Sequence, residues 1–223
     1  MSLTSLGNNM SVYSYYSLLA FRLSMHTRLE PRKQPAQSRS TATVSAILEA
    51  AARILEERGL DGYTTNAIAE RAGISIGSLY QYFPGKDAVT IALAEREAAI
   101  LLAAVAEAGK AEDWRGGLVA MIRAAVQHQL RRPRLARLLD FEKARLPVRD
   151  RQAQGAMLIH AAIVALLGRR PGRTADSSGK LAFDMLAIAR GLVDSAGERG
   201  ETDALDLERR VVRAVLGYLK KSP

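Results

Sequence analysis

From Val44 to Leu216 the apolar residues recur at intervals of three and four, and the alternation that marks a strand does not appear. This spacing constrains the fold more than any other feature of the chain. Val44, Ile47, Leu48, Ala51, Ile54 and Leu55 make the first such stripe, with Glu49, Arg53, Glu56 and Glu57 on the opposite face and Gly59 as a C-cap. Similar stripes predict helices over Thr65–Gly73, Ser75–Phe83, Lys86–Glu107, Asp113–Arg131, Pro133–Arg145, Pro147–Gly168, Ser178–Glu198 and Asp203–Lys221. A helix with one apolar face must bury it against another, so the expected fold is all-α with about nine helices. Short helices come first and long ones later. That order predicts a three-helix head at 43–88 and a helical body at 89–223, preceded by a disordered basic leader at 1–42.

Composition narrows the chemistry. Apolar residues make up 48% and aromatics only 5%, so the apolar content is largely Ala and Leu, which suits helix packed on helix. With no cysteine, disulfides, thiolate zinc sites and cysteine nucleophiles are excluded. Three histidines (His26, His128 and His160) argue against a histidine metal site, and no metal or cofactor is expected. No run of 18 apolar residues is present, so no membrane span is expected and the protein is placed in the cytoplasm. Ser11–Leu23 has a faint signal-peptide look, but lacks a basic n-region and a cleavage site. Met25 is an alternative translation start.

The formal charge of +9 invites a nucleic-acid reading, yet its distribution does not supply one. From His26 to Ile100 nine Lys/Arg face nine Asp/Glu, while from Leu101 onward the count is 22 against 14. The stretch "AGISIGSLYQYFPG" (Ala72–Gly85) carries no charge at all. Two short helices around an Ala-Gly-Ile-Ser turn form the core of a helix-turn-helix, with Gly73 ending the first sharply and Ile68 and Leu79 clamping the pair. The second helix then exposes Ser75, Ile76, Gly77, Ser78, Gln81 and Tyr82. Hydroxyls and an amide can read base edges or hold phosphate, a glycine lets the backbone approach, and Ile76 can meet a thymine methyl. An acidic side chain on such a face would repel phosphate. Lys86 brings a positive charge to the N-terminus of the next helix, which itself attracts anions.

"TTNAIAERAGISIGSLYQYFPGKDAV", with "ILEAAARILEERGLDGYTT" before it, resembles the N-terminal signature of the tetracycline-repressor (TetR) family of bacterial transcriptional regulators. The matching elements are Thr65, Ile68-Ala69, Ala72-Gly73-Ile74-Ser75, Gly77-Ser78-Leu79-Tyr80, Tyr82-Phe83 and Lys86, over roughly residues 43 to 95. The resemblance implies a DNA-binding head on a ligand-binding body that dimerises through its last two helices. Its implied DNA contacts are Thr65, Asn66, Ile76, Gly77, Ser78, Tyr80, Gln81, Tyr82 and Lys86, with Thr65, Tyr80, Tyr82 and Lys86 as phosphate anchors and Asn66, Ile76 and Gln81 where sequence is read. Ser75 joins these as a helix cap facing the groove. Gly85 departs from the pattern, where a serine often caps the following helix.

The body carries no signature. Met121, Ala125 and His128 share one helix face, and Met157, His160 and Val164 share another; turned inward, both would line an adaptable apolar pocket for a small-molecule effector. Ordinary core with two satisfied histidines is the alternative. Between Arg131 and Arg151 eight Lys/Arg stand against three Asp/Glu, which fits a solvated face or the flank of an anionic ligand. Phe183, Leu186, Arg190, Val193, Val212, Val215 and Leu216, interleaved with small residues, are the expected homodimer interface. The working expectation is therefore a homodimeric, effector-responsive repressor on a pseudo-palindromic double-stranded operator. A non-specific DNA-compacting protein is the rival. An enzyme is disfavoured, because no GxSxG, HExxH, P-loop or strand-linked glycine fingerprint occurs.

Overall fold

The computed structural model describes residues 38–146, 149–170 and 175–221. The leader up to residue 37, the signal-like segment and the alternative start at Met25 lie outside the described residues. Among those described there are nine helices and no strand: α1 (Ser38–Arg58), α2 (Thr65–Ala72), α3 (Ile76–Tyr82), α4 (Lys86–Ala108), α5 (Trp114–Arg131), α6 (Pro133–Arg145), α7 (Arg149–Leu167), α8 (Ala175–Glu198) and α9 (Ala204–Lys221).

Local chemistry explains most boundaries. Thr64 caps α2 by accepting the Ala67 N–H, Asp113 caps α5 by accepting from Arg115 and Gly116, and Pro133 opens α6, where a missing N–H costs nothing. The first helix departs from expectation. It begins at Ser38, inside the stretch assigned to the basic leader. A helix nucleated by the packed stripe at Ile47–Leu55 extends at little cost through small residues such as Ala42, even without apolar contacts of its own.

Two apolar cores result. The first gathers Ile47, Ile54 and Leu55 of α1, Ile68 of α2, Leu79 of α3, Phe83, and Val89 and Leu93 of α4. Leu135 and Leu139 of α6 complete it, so a helix of the body is built into the core of the head. Each fully buried side chain of this size contributes about 1.5–3 kcal/mol, and Leu135 and Leu139 therefore hold α6 firmly there. The second core joins Val105 of α4, Leu118, Met121, Ile122 and Val126 of α5, Ile163 and Leu166 of α7, Met185 of α8, and Leu207, Val211 and Val215 of α9. α4 runs through both cores, as α2 and α3 do not. Among the described residues no helix is long and apolar enough to cross a membrane.

Candidate nucleic-acid interface and body cavity

Gly73 takes a left-handed conformation (φ 70°) that a residue with a Cβ adopts only under strain, and its N–H returns to the carbonyls of Ala69 and Glu70. α2 therefore stops within one residue. Two positions on, Ser75 caps α3: its hydroxyl accepts the Ser78 N–H at 3.0 Å and contacts the Ser78 hydroxyl at 2.8 Å. Leu79 and Phe83, fully buried, fix how α3 sits on α1 and α4. What α3 turns outward is Ile76, Gly77, Tyr80 and Gln81, with Ser75 beside them and Ser78 half-exposed. Tyr82 is half-buried against the first core, so only part of its ring belongs to the outer face. A Cβ on Gly77 would meet nothing nearer than the Ser75 hydroxyl at 3.8 Å, and its φ is not positive. Nothing within the protein requires glycine there.

The anchors are brought together across the turn. Thr65, at the start of α2, lies 3.3 Å hydroxyl to hydroxyl from Tyr80 on α3, and Asn66 is exposed beside it. Lys86 opens α4, with its ammonium 5.8 Å above the centre of the Tyr63 ring. As the departure at Gly85 suggests, no side chain caps α4. The tie lies elsewhere. Thr90 donates its hydroxyl proton to the Lys86 carbonyl at 3.0 Å, so Tyr63 must donate to the Thr90 oxygen, 3.1 Å away. Burial pushes the Tyr63 phenol up to about 12, and the carboxylates of Glu142 and Asp87 act in the same direction. Arg71, the cation of α2, is held by Glu57 through two hydrogen bonds and faces away from the turn's purpose; its bond to Glu57 is the main reason that carboxyl lies below its ordinary range.

Ion pairs also tie head to body. Arg132, between α5 and α6, bonds Glu56 at 2.8 Å and Glu49 at 3.3 Å, both on α1. Burial would raise the Glu49 carboxyl, but Arg53, Arg132 and Arg96 together hold it below its ordinary value. Arg145 near the end of α6 bonds Asp87 in the first turn of α4 at 2.6 Å, which lowers the Asp87 carboxyl. The basic run from Arg131 is thus partly a set of structural ties, with Arg131 on Glu97, Lys143 on Asp140 and Arg151 on Glu95.

The body holds an open cavity of about 1680 Å³ between α4, α5, α6, α7 and α8. Met121, Ala125 and His128 line it. Met157, His160 and Val164 do not: α7 meets the cavity through Gly155, Ile159 and Ile163 instead. His160 has a local solution, since its Nε2 donates to the Gly179 carbonyl at 2.9 Å and its ring lies 3.8 Å from that of Phe183. Met157 is exposed. Of the predicted inward face of α7, Val164 is half-buried against the second core, while Met157 and His160 turn elsewhere. Of the residues expected to face a second copy, Val193 and Val215 are buried in the protomer's own core, and Leu186 and Arg190 line the cavity. Val212 and Leu216 are half-buried against the second core, and Phe183 is exposed. Sequence reading missed Tyr63, Thr90 and Arg132. Tyr63 and Thr90 sit in loop and helix start with no periodic signal, and Arg132 looked like one more solvated cation. No cluster of potential metal ligands occurs among the described residues.

Comparison with known proteins supplies the remaining observations. The family model described as bacterial regulatory proteins, tetR family, matches residues 47–93, and one described as tetracyclin repressor-like, C-terminal domain, matches residues 113–219. An HTH-type transcriptional repressor AcnR of Corynebacterium diphtheriae is 29% identical over 182 residues, covering 75% of this chain and 90% of that protein. The AcnR of Corynebacterium glutamicum is 35% identical over 83 residues, covering 37% of this chain and 44% of that one. Among solved structures, a TetR-family transcriptional regulator from Streptomyces coelicolor superposes with a TM-score of 0.57 at 27% identity, covering 79% of this chain and 98% of that one. A transcriptional regulator from Rhodococcus sp. Rha1 reaches 0.66 at 21% identity, covering 79% and 96%; at that identity it speaks for the fold alone.

Proposed function

We propose that this chain, which belongs to the tetR family of bacterial regulatory proteins, is a homodimeric cytoplasmic repressor that binds a pseudo-palindromic operator and is released from it by a small-molecule effector. The observation that carries the DNA-binding reading is α3. It is a capped helix locked from below by Leu79, outwardly uncharged, with a glycine at 77 that the protein's own packing does not need. A neutral surface of hydroxyls, one amide and one close-approach point suits base edges and phosphates, and little else. Thr65, Tyr80, Tyr82 and Lys86 are assigned to phosphates; Asn66, Ile76 and Gln81 to base edges; Ser75 and Ser78 to either. A head at 43–88 and a body at 89–223 remain the functional units, though α6 sits in the core of the first.

Repression is favoured over activation by the relatives named AcnR, which are repressors. For the second copy, the faces of α8 and α9 left outside the protomer's core are the natural interface. Phe183 is exposed there, and Gly191 and Gly217 have open space where a Cβ would stand, which lets helices approach closely. Two heads so related would reach successive major grooves, about 34–36 Å apart.

The test is selection of bound sites from a random DNA pool, followed by competition against random duplex at a fixed salt concentration. A pseudo-palindrome preferred about 10³-fold or more supports the proposal. Equal affinity for every sequence would sink it in favour of non-specific compaction.

A further inference from the structure

We propose that the body cavity takes an amphipathic molecule that presents a hydrogen-bond acceptor, and not a cationic group, to His128; this rests on the effector role proposed above. The deep wall is apolar, built from Leu102, Val105, Met121, Ile122, Ile163 and Met185. Among the side chains that line it, His128 is distinguished by a buried Nδ1 that has no hydrogen-bond partner. Burial drives the imidazole below its ordinary value, Arg131 and Lys143 act in the same direction, and Glu97 and Asp140 oppose it. The ring is therefore neutral at pH 7 and carries one N–H. An N–H sealed without an acceptor costs more than a sealed lone pair, so the proton belongs on Nε2. Nε2 is not among the buried, unpartnered atoms, and the residue lines the cavity, so the Nε2 edge is the part of the ring open to a ligand. It offers a donor.

Four of the five carboxylates around the same cavity are already engaged. Glu95 pairs with Arg151, Glu97 with Arg96 and Arg131, Asp140 with Lys143, and Asp194 with Arg190. Glu198 is the fifth acidic side chain of the lining, and it is exposed at the end of α8. A cation entering the cavity would lose its hydration and find no buried carboxylate free to replace it.

Three probes with ten-carbon chains, each kept below its micelle concentration or solubility limit, test this by calorimetry on the full chain: decanoate, methyl decanoate and decyltrimethylammonium. The first two carry an acceptor, the third a cation without one. Decanoate and methyl decanoate should bind, and decyltrimethylammonium should bind at least tenfold more weakly. His128→Phe should weaken both acceptor probes by about five- to tenfold, the loss of one hydrogen bond, while His128→Gln, which keeps a donor, should lose less. The comparison of probes on the unaltered protein stands even if a variant folds poorly. Equal or tighter binding of decyltrimethylammonium, no binding of either acceptor probe, or no loss in a folded His128→Phe protein overturns the inference. Operator binding is measured alongside. Probes that bind as described but leave operator affinity unchanged would uphold the cavity chemistry and refute the effector role.

Discussion

The pairing of Tyr63 with Thr90 yields a prediction sharp enough to fail. Tyr63 is 1% exposed, and its hydroxyl must donate to Thr90 because the Thr90 proton is already committed to the Lys86 carbonyl. Tyr63→Phe removes that donor and keeps the ring, so near pH 8 it should cost about 1 kcal/mol. Thr90→Val should cost more, about 2 kcal/mol, because it leaves a buried phenol without an acceptor as well as losing the bond to Lys86. The double variant should be more stable than the two losses added together, by about 1 kcal/mol of coupling. The pH dependence is stronger still. The folded phenol titrates at about 12, against 10.0 for an ordinary tyrosine. A raised value means that the folded state holds its proton while the unfolded state gives it up. Stability is thus fully present below pH 10 and drains away as pH rises towards 12. One pK unit corresponds to about 1.4 kcal/mol, so the unaltered protein should lose about that much through Tyr63 by pH 11. Tyr63→Phe escapes this loss. Urea denaturation followed by helical circular dichroism should therefore show the variant weaker at pH 8 but equal or slightly stronger at pH 11. A stability difference that is the same at both pH values would refute the assignment of a buried, donating phenol.

Three further outcomes follow from the interface and the junction. Lys86→Ala should flatten the slope of log affinity against log salt by about one unit, because one phosphate contact is lost; an unchanged slope and affinity would remove Lys86 from the anchors. Gln81→Ala, measured against a panel of single-base operator variants, should change the preference at one or two base pairs by about 1–3 kcal/mol, whereas a uniform loss at all sequences would make Gln81 a backbone contact. Leu139→Ala, on a body helix but in the head's core, should destabilise the head by about 2–5 kcal/mol and weaken operator binding even without ligand; a loss of stability confined to the body would show that the shared core is not shared in solution.

The head was legible in the sequence because its determinants are local. Gly73, Ser75 and Thr64 act on neighbours three or four residues away, and such turn chemistry survives being read one residue at a time. The body was legible only as helices. On α7, Met157, His160 and Val164 form one plausible inward stripe, and Gly155, Ile159 and Ile163 form another at the same period. Periodicity cannot choose between them. What chooses is long-range: the Gly179 carbonyl and the Phe183 ring give His160 a place on the outer side, and Leu166 seals the other face into the second core. Two of the residues expected at an interface on α8 and α9 met the same difficulty, since Val193 and Val215 are buried in their own protomer's core. Arg132 shows a third limit. Its acidic partners lie far back in the chain, at Glu49 and Glu56, so charge counting within its own helix could not identify it as a tie.

Any coupling between cavity and head has to pass through a junction whose parts differ greatly in strength. Effector coupling in regulators is typically about 1–3 kcal/mol. A single partly exposed ion pair contributes about 0–1 kcal/mol, so neither Arg145 with Asp87 nor Arg132 with Glu49 can carry such coupling alone. Leu135 and Leu139 can. They are almost fully buried in the head's core and at the same time line the cavity, so a ligand against α6 touches side chains that also pack on α1 and α4. Close-packed interiors do not yield gradually; displacing a side chain that fills two sites forces a repacking in one of them. α4 joins the same two regions, with Leu93 in the first core, Val105 in the second, and Leu102 on the cavity wall between. Under the effector role proposed above, the energy that moves α6 and α4 would come from a ligand's unequal affinity for two packings of the shared leucines, with the ion pairs setting where the helices come to rest.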